Sequence, residues 1–160
     1  MAVIWNPTNP GYRVVDLDAP AKALRVRVER TAIRAPDEVD GALSAIARSR
    51  PDALLVLDDQ LIFANRRRII DFATAQKLPA AYGSRVYVED GGLMAYDASW
   101  VDLFRRTGYY VDRILRGTKP ADLPVEQPTR FELVVNRKAA KAIGLSIPHV
   151  ILQRADRVIE

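Results

Sequence analysis

Short apolar runs alternate along the chain with longer segments in which apolar side chains recur at helical spacing. Residues 2–5 and 53–57 are continuously apolar, which is typical of strands covered on both faces. The segment 26–33 alternates apolar and polar side chains, so it is predicted to be a strand at a sheet edge. The pattern predicts further strands over 80–83, 93–96 and 131–135.

Helical periodicity fills the intervals between these strands. The clearest helix spans 36–50, with a proline in its first turn, acidic residues near its start and arginines near its end. Ser99 is a suitable N-cap for a helix over 100–115. The apolar residues of that helix that are expected to face the core are Val101, Phe104, Val111, Ile114 and Leu115. Other helices are expected over 12–24, 61–76, 86–90, 137–143 and 148–158, and the proline-rich segment 119–128 is expected to be a linker.

Regular alternation of strand and helix predicts an α/β fold. With right-handed crossovers, the helices would cover both faces of a mainly parallel sheet, giving a three-layer α/β/α sandwich. The length of 160 residues fits a single α/β ligand-binding lobe over 1–160, in which 117–160 supplies the linker and a C-terminal strand and helix.

In sheets of this kind, ligands bind beyond the carboxyl ends of the strands. The polar and aromatic residues predicted at those ends are therefore the candidates for a binding site. They are Asn6, Asn9, Asp58, Asp59, Gln60, Tyr82, Ser84, Tyr96 and Asp97.

The adjacent pair Asp58 and Asp59 allows three interpretations. One carboxylate could cap the following helix, the pair could receive a ligand ammonium group, or it could hold Mg²⁺ as in receiver-type domains. The lysine that receiver domains place on a late strand end is not visible here. Tyr82 is equally compatible with stacking on a ligand and with core packing, and turn chemistry alone can explain Asn6 and Asn9.

The composition of the chain excludes several classes of function. The net charge of +4 and the pI of about 9.6 could indicate nucleic-acid binding, but the arginines are scattered among acids. Arg66, Arg67 and Arg68 would fan around roughly 200° of a helix and are expected to be solvated, so no nucleic acid is predicted as a partner. The chain contains no cysteine, its single His149 has no catalytic or metal-binding neighbour at a telling spacing, and glycine-rich phosphate motifs are absent. We expect no enzymatic activity, no metal and no cofactor.

The N-terminal residues have no basic region and only a four-residue apolar run, so the sequence does not predict a signal peptide there. No apolar stretch approaches the roughly 18 residues of a membrane span. The chain is therefore expected to stay in the cytoplasm if Met1 is its natural start, or to be a piece of a longer exported protein.

Four segments carry a resemblance to a known family: VIWNPTNP at 3–10, PDALLVLDD at 51–59, LPAAYGSRVYVEDGGLMAYDAS at 78–99, and the long segment from YYVDRILRG at 109 to GLSIP at 148. The chain resembles ABC-transporter substrate-binding proteins, including tryptophan- and tyrosine-binding members. The match covers nearly the whole chain but only the second half of a typical member. It implies one Rossmann-like lobe of a type I periplasmic-binding-protein fold, a periplasmic location, an ABC permease as partner, and binding of a ligand between two lobes without chemical conversion.

The resemblance also implies which residues contact a ligand such as an aromatic or branched amino acid. These are Asn6, Asp58, Asp59, Tyr82, Gly83 and the strand from Gly92 to Tyr96. Ala95 and Asp97 depart from the small polar residue and the glycine expected there. A flavodoxin-like or receiver-like domain that uses Asp58 and Asp59 for Mg²⁺ or phosphoryl chemistry is the alternative. Because the first lobe is missing, we expect weak ligand binding and a homodimer formed through the strand-end face, with Trp5, Tyr82 and Tyr96 contributing.

Overall fold

A computed structural model describes residues 1–14 and 16–160; residue 15 belongs to the predicted first helix and lies outside the described residues. The strands are β1 (Ala2–Trp5), β2 (Glu29–Ala32), β3 (Leu54–Val56), β4 (Ala80–Tyr82), β5 (Met94–Ala98), β6 (Phe131–Asn136) and β7 (Arg157–Ile159). The helices are α1 (Asp18–Ala23), α2 (Glu38–Ser49), α3 (Gln60–Ala64), α4 (Arg66–Ala75), α5 (Arg85–Glu89), α6 (Trp100–Leu115), α7 (Arg137–Ala142) and α8 (His149–Arg154). Short 3-10 helices cover Pro10–Val14 and Pro120–Asp122.

The strands form one seven-stranded sheet in the order β2-β1-β3-β4-β5-β6-β7. All neighbouring strands are parallel except β5 and β6, which pair antiparallel. The chain first moves from β1 outward to β2 and then returns to the other side of β1, so β1 and β3 flank the point where the strand order reverses. The predicted mainly parallel α/β fold is confirmed, and β2 is an edge strand as the sequence indicates.

Apolar side chains cover the central strands on both faces. Ala2, Val3 and Ile4 of β1 are at most 1% exposed although successive residues point to opposite faces. Right-handed crossovers place α2 to α5 on one face of the sheet and α1 on the other. The core on the first face is filled from α2, α4 and α5, chiefly by Ile46, Ile69 and Tyr87.

Three helices of the structure differ in their bounds from the helices that the sequence predicts. The first is a 3-10 turn followed by α1, with Pro20 in the first helical turn, where a proline is tolerated. The helix predicted over 61–76 is divided at Asn65, whose side-chain amide donates to the Leu61 carbonyl at 3.0 Å. The helix predicted over 148–158 ends at residue 154, because β7 follows and pairs with β6. An apolar segment this short does not distinguish helix from strand by periodicity.

The expectation that the apolar residues of α6 face the core is wrong. The helix has the predicted bounds, but none of the residues from 100 to 115, a range described in full, is buried. Phe104 is 71% exposed and Leu115 is 81% exposed. Periodicity identified an apolar side of the helix, but the chain supplies no surface against which that side packs. Helix α6 instead leaves the sheet after β5, and the segment after it returns to the sheet at β6.

Candidate ligand site at the carboxyl ends of the strands

A hydrogen-bonded network joins the ends of β1 and β3 at the reversal of the strand order. The buried Asn6, directly after β1, donates from Nδ2 to Oδ1 of Asp59 at 3.0 Å. Asn9 donates to Oδ2 of the same carboxylate at 2.8 Å. Oδ1 also accepts from the backbone N–H of Leu61 at 2.9 Å, so Asp59 is the N-cap of α3. Both oxygens of Asp59 are thus used by the protein itself.

These contacts determine the ionisation of Asp59. Its partial burial alone would raise the pKa of the carboxyl group. The hydrogen bonds from the Asn6 and Asn9 amides and from the start of α3 outweigh that effect and hold the pKa below its usual value. The ionised form of Asp59 is therefore favoured, and its hydrogen bonds link the loop after β1 to the loop after β3.

Asp58 has the opposite environment. Burial, together with the neighbouring Asp97 and Asp59 carboxylates, raises the pKa of Asp58, although the Tyr87 hydroxyl partly offsets this by donating to Oδ1 at 3.3 Å. Within the described part of the chain, Oδ2 of Asp58 accepts no hydrogen bond from another side chain. The Asp58 carboxylate is accordingly half-buried, weakly compensated and available to a ligand.

Tyr12 is a site residue that sequence reasoning missed. Its hydroxyl donates to the backbone carbonyl of Asp58, although 45 residues separate the two in sequence. Burial, followed by the charges of Asp58, Asp59 and Asp97, raises the pKa of Tyr12 to about 12. The only signal was its position just after the Asn9-Pro10-Gly11 loop, which the sequence places beside the end of β1.

Tyr82 lies at the end of β4 as predicted, but its ring is 3% exposed. It stacks on Tyr87 of α5 with ring centroids 4.8 Å apart, and Phe63 meets Tyr87 edge-on at 5.7 Å. Burial raises the pKa of Tyr82 and also that of Tyr87, so both phenols stay protonated. Tyr82 therefore packs in the core, and it also contributes to the lining of the cavity at the strand ends.

Two predicted glycines have steric roles. A Cβ atom on Gly83 would lie 2.9 Å from the Cβ atom of Asp58, so glycine lets the β4 end approach the β3 end. A Cβ atom on Gly92 would lie 2.7 Å from the Tyr82 ring and 2.8 Å from the Tyr87 carbonyl oxygen. Gly92 thus lies behind the aromatic pair and does not line the cavity at the strand ends.

An open cavity of about 980 Å³ runs along the carboxyl ends of β3, β4 and β5. Asp58, Tyr96 and Asp97 line it together with Asn9, Asp59, Gln60, Gly83 and Ser84 from the predicted set. Tyr96 is 63% exposed and stacks on Phe131 at 5.5 Å. Trp100, at the start of α6, donates from Nε1 to Asp97 at 2.8 Å and is half exposed. Sequence reasoning did not place Trp100 or Arg85 in the site.

The geometry weakens the magnesium alternative. A pair of carboxylates would have to present free oxygens to the ion, whereas both oxygens of Asp59 already accept protein hydrogen bonds. No group of three or more potential ligand residues suited to a metal occurs among the described residues. No specific observation favours phosphoryl chemistry at this edge.

The arginine cluster after Asn65 contributes to helix packing. Arg66 pairs with Asp90 at 2.7 Å and covers the Phe63 ring, and Arg68 pairs with Asp40 at 2.5 Å. Arg67 and Arg68 are exposed, as the expected solvated face requires, whereas Arg66 is partly buried. In the described ranges, 1–14 and 16–160, no helix is both long and apolar enough to cross a membrane.

Comparison with known proteins agrees with this architecture. A sequence model of the ABC transporter substrate binding protein family matches residues 2–159. The chain belongs to this family. A tyrosine-binding protein of Clostridioides difficile is 25% identical over 147 residues, which is 91% of this chain and 42% of that protein.

Solved structures match nearly the whole chain. One is a conserved domain protein from Vibrio cholerae, with a TM-score of 0.88, 26% identity and coverage of 98% of this chain and 53% of that chain. Another is an ABC domain in complex with L-Trp from Streptococcus pneumoniae, with a TM-score of 0.87, 28% identity and coverage of 99% and 55%. A ligand-free, open structure of a substrate binding protein with adhesive properties from Clostridium difficile has a TM-score of 0.71, 26% identity and coverage of 99% and 53%. The chain therefore spans about half the length of the family members it matches.

Proposed function

We propose that the cavity binds the ammonium end of an amino acid at Asp58 and releases the amino acid chemically unchanged. The observation that carries the proposal is the Asp58 carboxylate, which is half-buried, lines the cavity and keeps Oδ2 free of side-chain donors in the described part of the chain. A ligand ammonium group would supply the charge-assisted hydrogen bonds that this carboxylate lacks. Asp59 then serves to hold the site together, since its oxygens are occupied.

Aromatic side chains support an aromatic amino acid as the ligand. Tyr96 and Trp100 present exposed rings to the cavity. Ring faces of this kind favour stacking on a flat side chain. Two of the similar proteins are consistent with an aromatic amino acid: one was solved in complex with L-Trp, and the other is a tyrosine-binding protein.

The proposed role is that of a solute-binding component of an ABC transporter, with a permease as its partner and the periplasm as its location. Family membership and the half-length match support this role, because the relatives contain additional chain that could form the opposite wall of the cavity. Substrate capture requires no bond to be made or broken, so we propose that the protein is not an enzyme. For the 160-residue chain by itself, we also propose a homodimer.

The binding proposal predicts a weak but specific interaction with the chain alone. One open wall buries only part of a ligand's surface, whereas tight sites bury most of it. We expect millimolar L-tryptophan and L-tyrosine to shift the NMR signals of the Trp100 indole and of the backbone amides at 58, 83 and 96. Indole-3-propionate has the ring and the carboxylate of tryptophan without its ammonium group, and it should shift them much less.

Two variants separate the ammonium contact from a change in fold. Asp58→Ala should abolish the shifts caused by L-tryptophan. Asp52→Ala removes an exposed carboxylate at the opposite end of β3 and should leave them unchanged. Equal responses to tryptophan and indole-3-propionate, or full binding by the Asp58 variant, would contradict the proposed contact. A micromolar dissociation constant would contradict the proposal that a second wall is required.

A further inference from the structure

Two side chains at the β5 end of the cavity are joined directly to each other. Asp97 lies in β5 and Trp100 is the first residue of α6, and both line the cavity at the strand ends. The indole Nε1 of Trp100 donates to Oδ2 of Asp97 at 2.8 Å. A hydrogen bond with an ionised acceptor is roughly twice as strong as one between neutral groups. The Asp97 carboxylate is therefore well suited to hold the Trp100 indole in place.

The place of Nε1 on the indole makes this hydrogen bond restrictive. The orientation of a tryptophan side chain is set by two rotatable angles. Because Nε1 lies in the ring itself, a contact from it to a residue three positions earlier fixes both angles. Trp100 is 50% exposed, and exposed side chains that are not held exchange rapidly between rotamers. Without Asp97, the Trp100 ring would therefore face the cavity for only part of the time.

The charge of Asp97 also acts on the residues at the other end of the cavity. Burial is the main cause of the raised pKa of Asp58, and the Asp97 carboxylate adds to it. Asp97 likewise contributes to the raised pKa of Tyr12, after burial and the charges of Asp58 and Asp59. The carboxylate that holds Trp100 is thus close enough to the proposed ammonium site to influence it. A direct contact between Asp97 and the ligand ammonium group is consequently the competing role.

A ring held in one orientation discriminates between ligands. Two aromatic rings that meet in a stacked or edge-on arrangement attract each other beyond the area that they bury, whereas an aliphatic side chain gains only from burial. The additional attraction depends on the angle between the rings, so it is lost when one ring changes orientation. A preference for aromatic ligands at Trp100 therefore requires the group that fixes its ring.

We propose that Asp97 is a positioning residue that determines ligand selectivity: it holds the Trp100 ring over the cavity and thereby favours aromatic over aliphatic amino acids. The inference rests on the proposed function, which places an amino acid in this cavity. The two carboxylates then have different tasks. Asp58 contacts the ammonium group that all amino acids share, so it affects the affinity for all of them. Asp97 acts through Trp100 and changes the preference among them.

The hydrogen bond can be tested without a ligand. The chain has two tryptophans, so Trp5→Phe identifies the Nε1–H signal of Trp100 in a nitrogen–proton NMR spectrum. Asp97→Ala should shift this signal and speed its exchange with water, whereas Asp97→Asn keeps an oxygen acceptor and should largely preserve it. Asp102→Ala is the matched control and should leave the signal in place. It removes another carboxylate near the start of α6, one that pairs with Arg105 and lies outside the cavity lining.

Titration with L-tryptophan and L-leucine then measures selectivity. Asp97→Ala should reduce the preference for tryptophan by about two-fold to ten-fold, the range expected for the loss of one aromatic contact. Asp97→Asn should retain the preference, because it supplies the acceptor without the charge. Trp100→Leu should reduce the preference as much as Asp97→Ala does. Combining Asp97→Ala with Trp100→Leu should have little further effect, since both changes remove the same contact.

Equal losses in Asp97→Ala and Asp97→Asn, for tryptophan and leucine alike, would assign Asp97 to the ligand ammonium group and overturn the positioning role. An indole signal that ignores Asp97→Ala would overturn it as well, and so would an unmodified chain that does not prefer tryptophan to leucine. A tryptophan preference that survives Asp97→Ala would contradict this inference and leave the proposed function intact. Failure of the unmodified chain to bind either amino acid would contradict the proposed function and the selectivity role together.

Discussion

At the scale of single residues, Asp58 and Asp59 have opposite effects on stability at neutral pH. Asp59 accepts three hydrogen bonds and keeps a lowered pKa, whereas burial raises the pKa of Asp58. The geometry leads us to expect that, of the two carboxylates, only Asp58 matters more to binding than to folding.

Substitution should separate the two roles. Asp59→Ala removes the cap of α3 and leaves the Asn6 amide without its acceptor, so we expect a loss of about 2 kcal/mol in the free energy of unfolding. Asp58→Asn replaces a poorly compensated charge with a neutral group of similar shape, and it should leave the melting temperature unchanged or raise it. Urea unfolding at neutral pH measures both. Equal destabilisation by the two substitutions would contradict the assignment.

The pH dependence follows from the directions of the shifts. A lowered pKa means that Asp59 stabilises the fold above its ordinary pKa of 3.8 and loses this contribution as the pH falls through the folded value. A raised pKa means that Asp58 favours the fold most when protonated, and its contribution is lost as the pH rises through the folded value. Between pH 3 and pH 5, Asp59→Asn should therefore flatten the acid-induced loss of stability, and Asp58→Asn should steepen it.

Glycine substitutions test the packing behind Tyr82. Gly92→Ala would place a methyl group against the Tyr82 ring and the Tyr87 carbonyl, and overpacking of this kind costs about 1–3 kcal/mol. Gly41→Ala, in α2 with open space around it, should instead stabilise by up to about 1 kcal/mol. Thermal unfolding compares them, and a neutral Gly92→Ala would show that the aromatic pair can shift.

The sequence predicts the place of the site better than its contacts. The rule that ligands bind at the carboxyl ends of parallel strands correctly located Asp58, Asp59 and Tyr96 at one edge. It could not show that Tyr12 and Tyr87 would reach Asp58, because those hydrogen bonds depend on loops and on a short helix distant in sequence. It also could not decide whether Tyr82 points into the cavity or the core.

At the scale of elements, Arg66 joins three parts of the helical layer. It pairs with Asp90 after α5, covers Phe63 of α3 and begins α4. Its side chain is 26% exposed, whereas that of Arg67 is 77% exposed and only 3.8 Å from the same carboxylate. The partly buried position of Arg66 makes its contacts more stabilising than those of an exposed ion pair.

We expect Arg66→Ala to lower the free energy of unfolding by about 1 kcal/mol, and Arg67→Ala to change it by less than about 0.5 kcal/mol. Chemical denaturation at low and high salt gives both values. The Arg66 loss should persist in high salt, because part of it comes from packing on Phe63. Equal losses in the two variants would mean that the contact with Phe63 contributes nothing.

Helix α6 shows what periodicity can and cannot predict. Its bounds follow from the sequence, since Ser99 precedes it and Gly117 adopts a positive φ of 96° just beyond it. The Ser99 side chain does not cap the helix, because its hydroxyl donates to Glu132 at 2.8 Å. Which surface covers the apolar side depends on atoms outside the helix. A pattern identical to that of a core helix therefore occurs here on a helix without buried residues in its fully described range.

At the scale of the whole molecule, stability should be unevenly distributed. Backbone amides of β1 and β3 lie in the centre of the sheet beneath both helical layers, whereas α6 makes few tertiary contacts. In hydrogen exchange at low protein concentration, α6 should exchange through local opening, far faster than the central strands. Protection of α6 equal to that of β1 in a monomer would contradict this picture.

The chain leaves the sheet at Ser99 and returns to it at Arg130, and this arrangement determines which changes of the segment between them the fold can accept. Ser99 donates its backbone N–H to the Arg130 carbonyl at 2.9 Å, and β5 and β6 pair antiparallel directly below it. The two ends of the segment 99–130 are therefore fixed side by side, as in the stem of a hairpin. A segment attached in this way can be shortened to a tight turn, lengthened or exchanged without shifting the strand register, since the stem is hydrogen-bonded independently of what it carries. The sheet and the acidic residues Asp58 and Asp97 would stay in place when the segment is exchanged, whereas the ring of Trp100 would be exchanged with it.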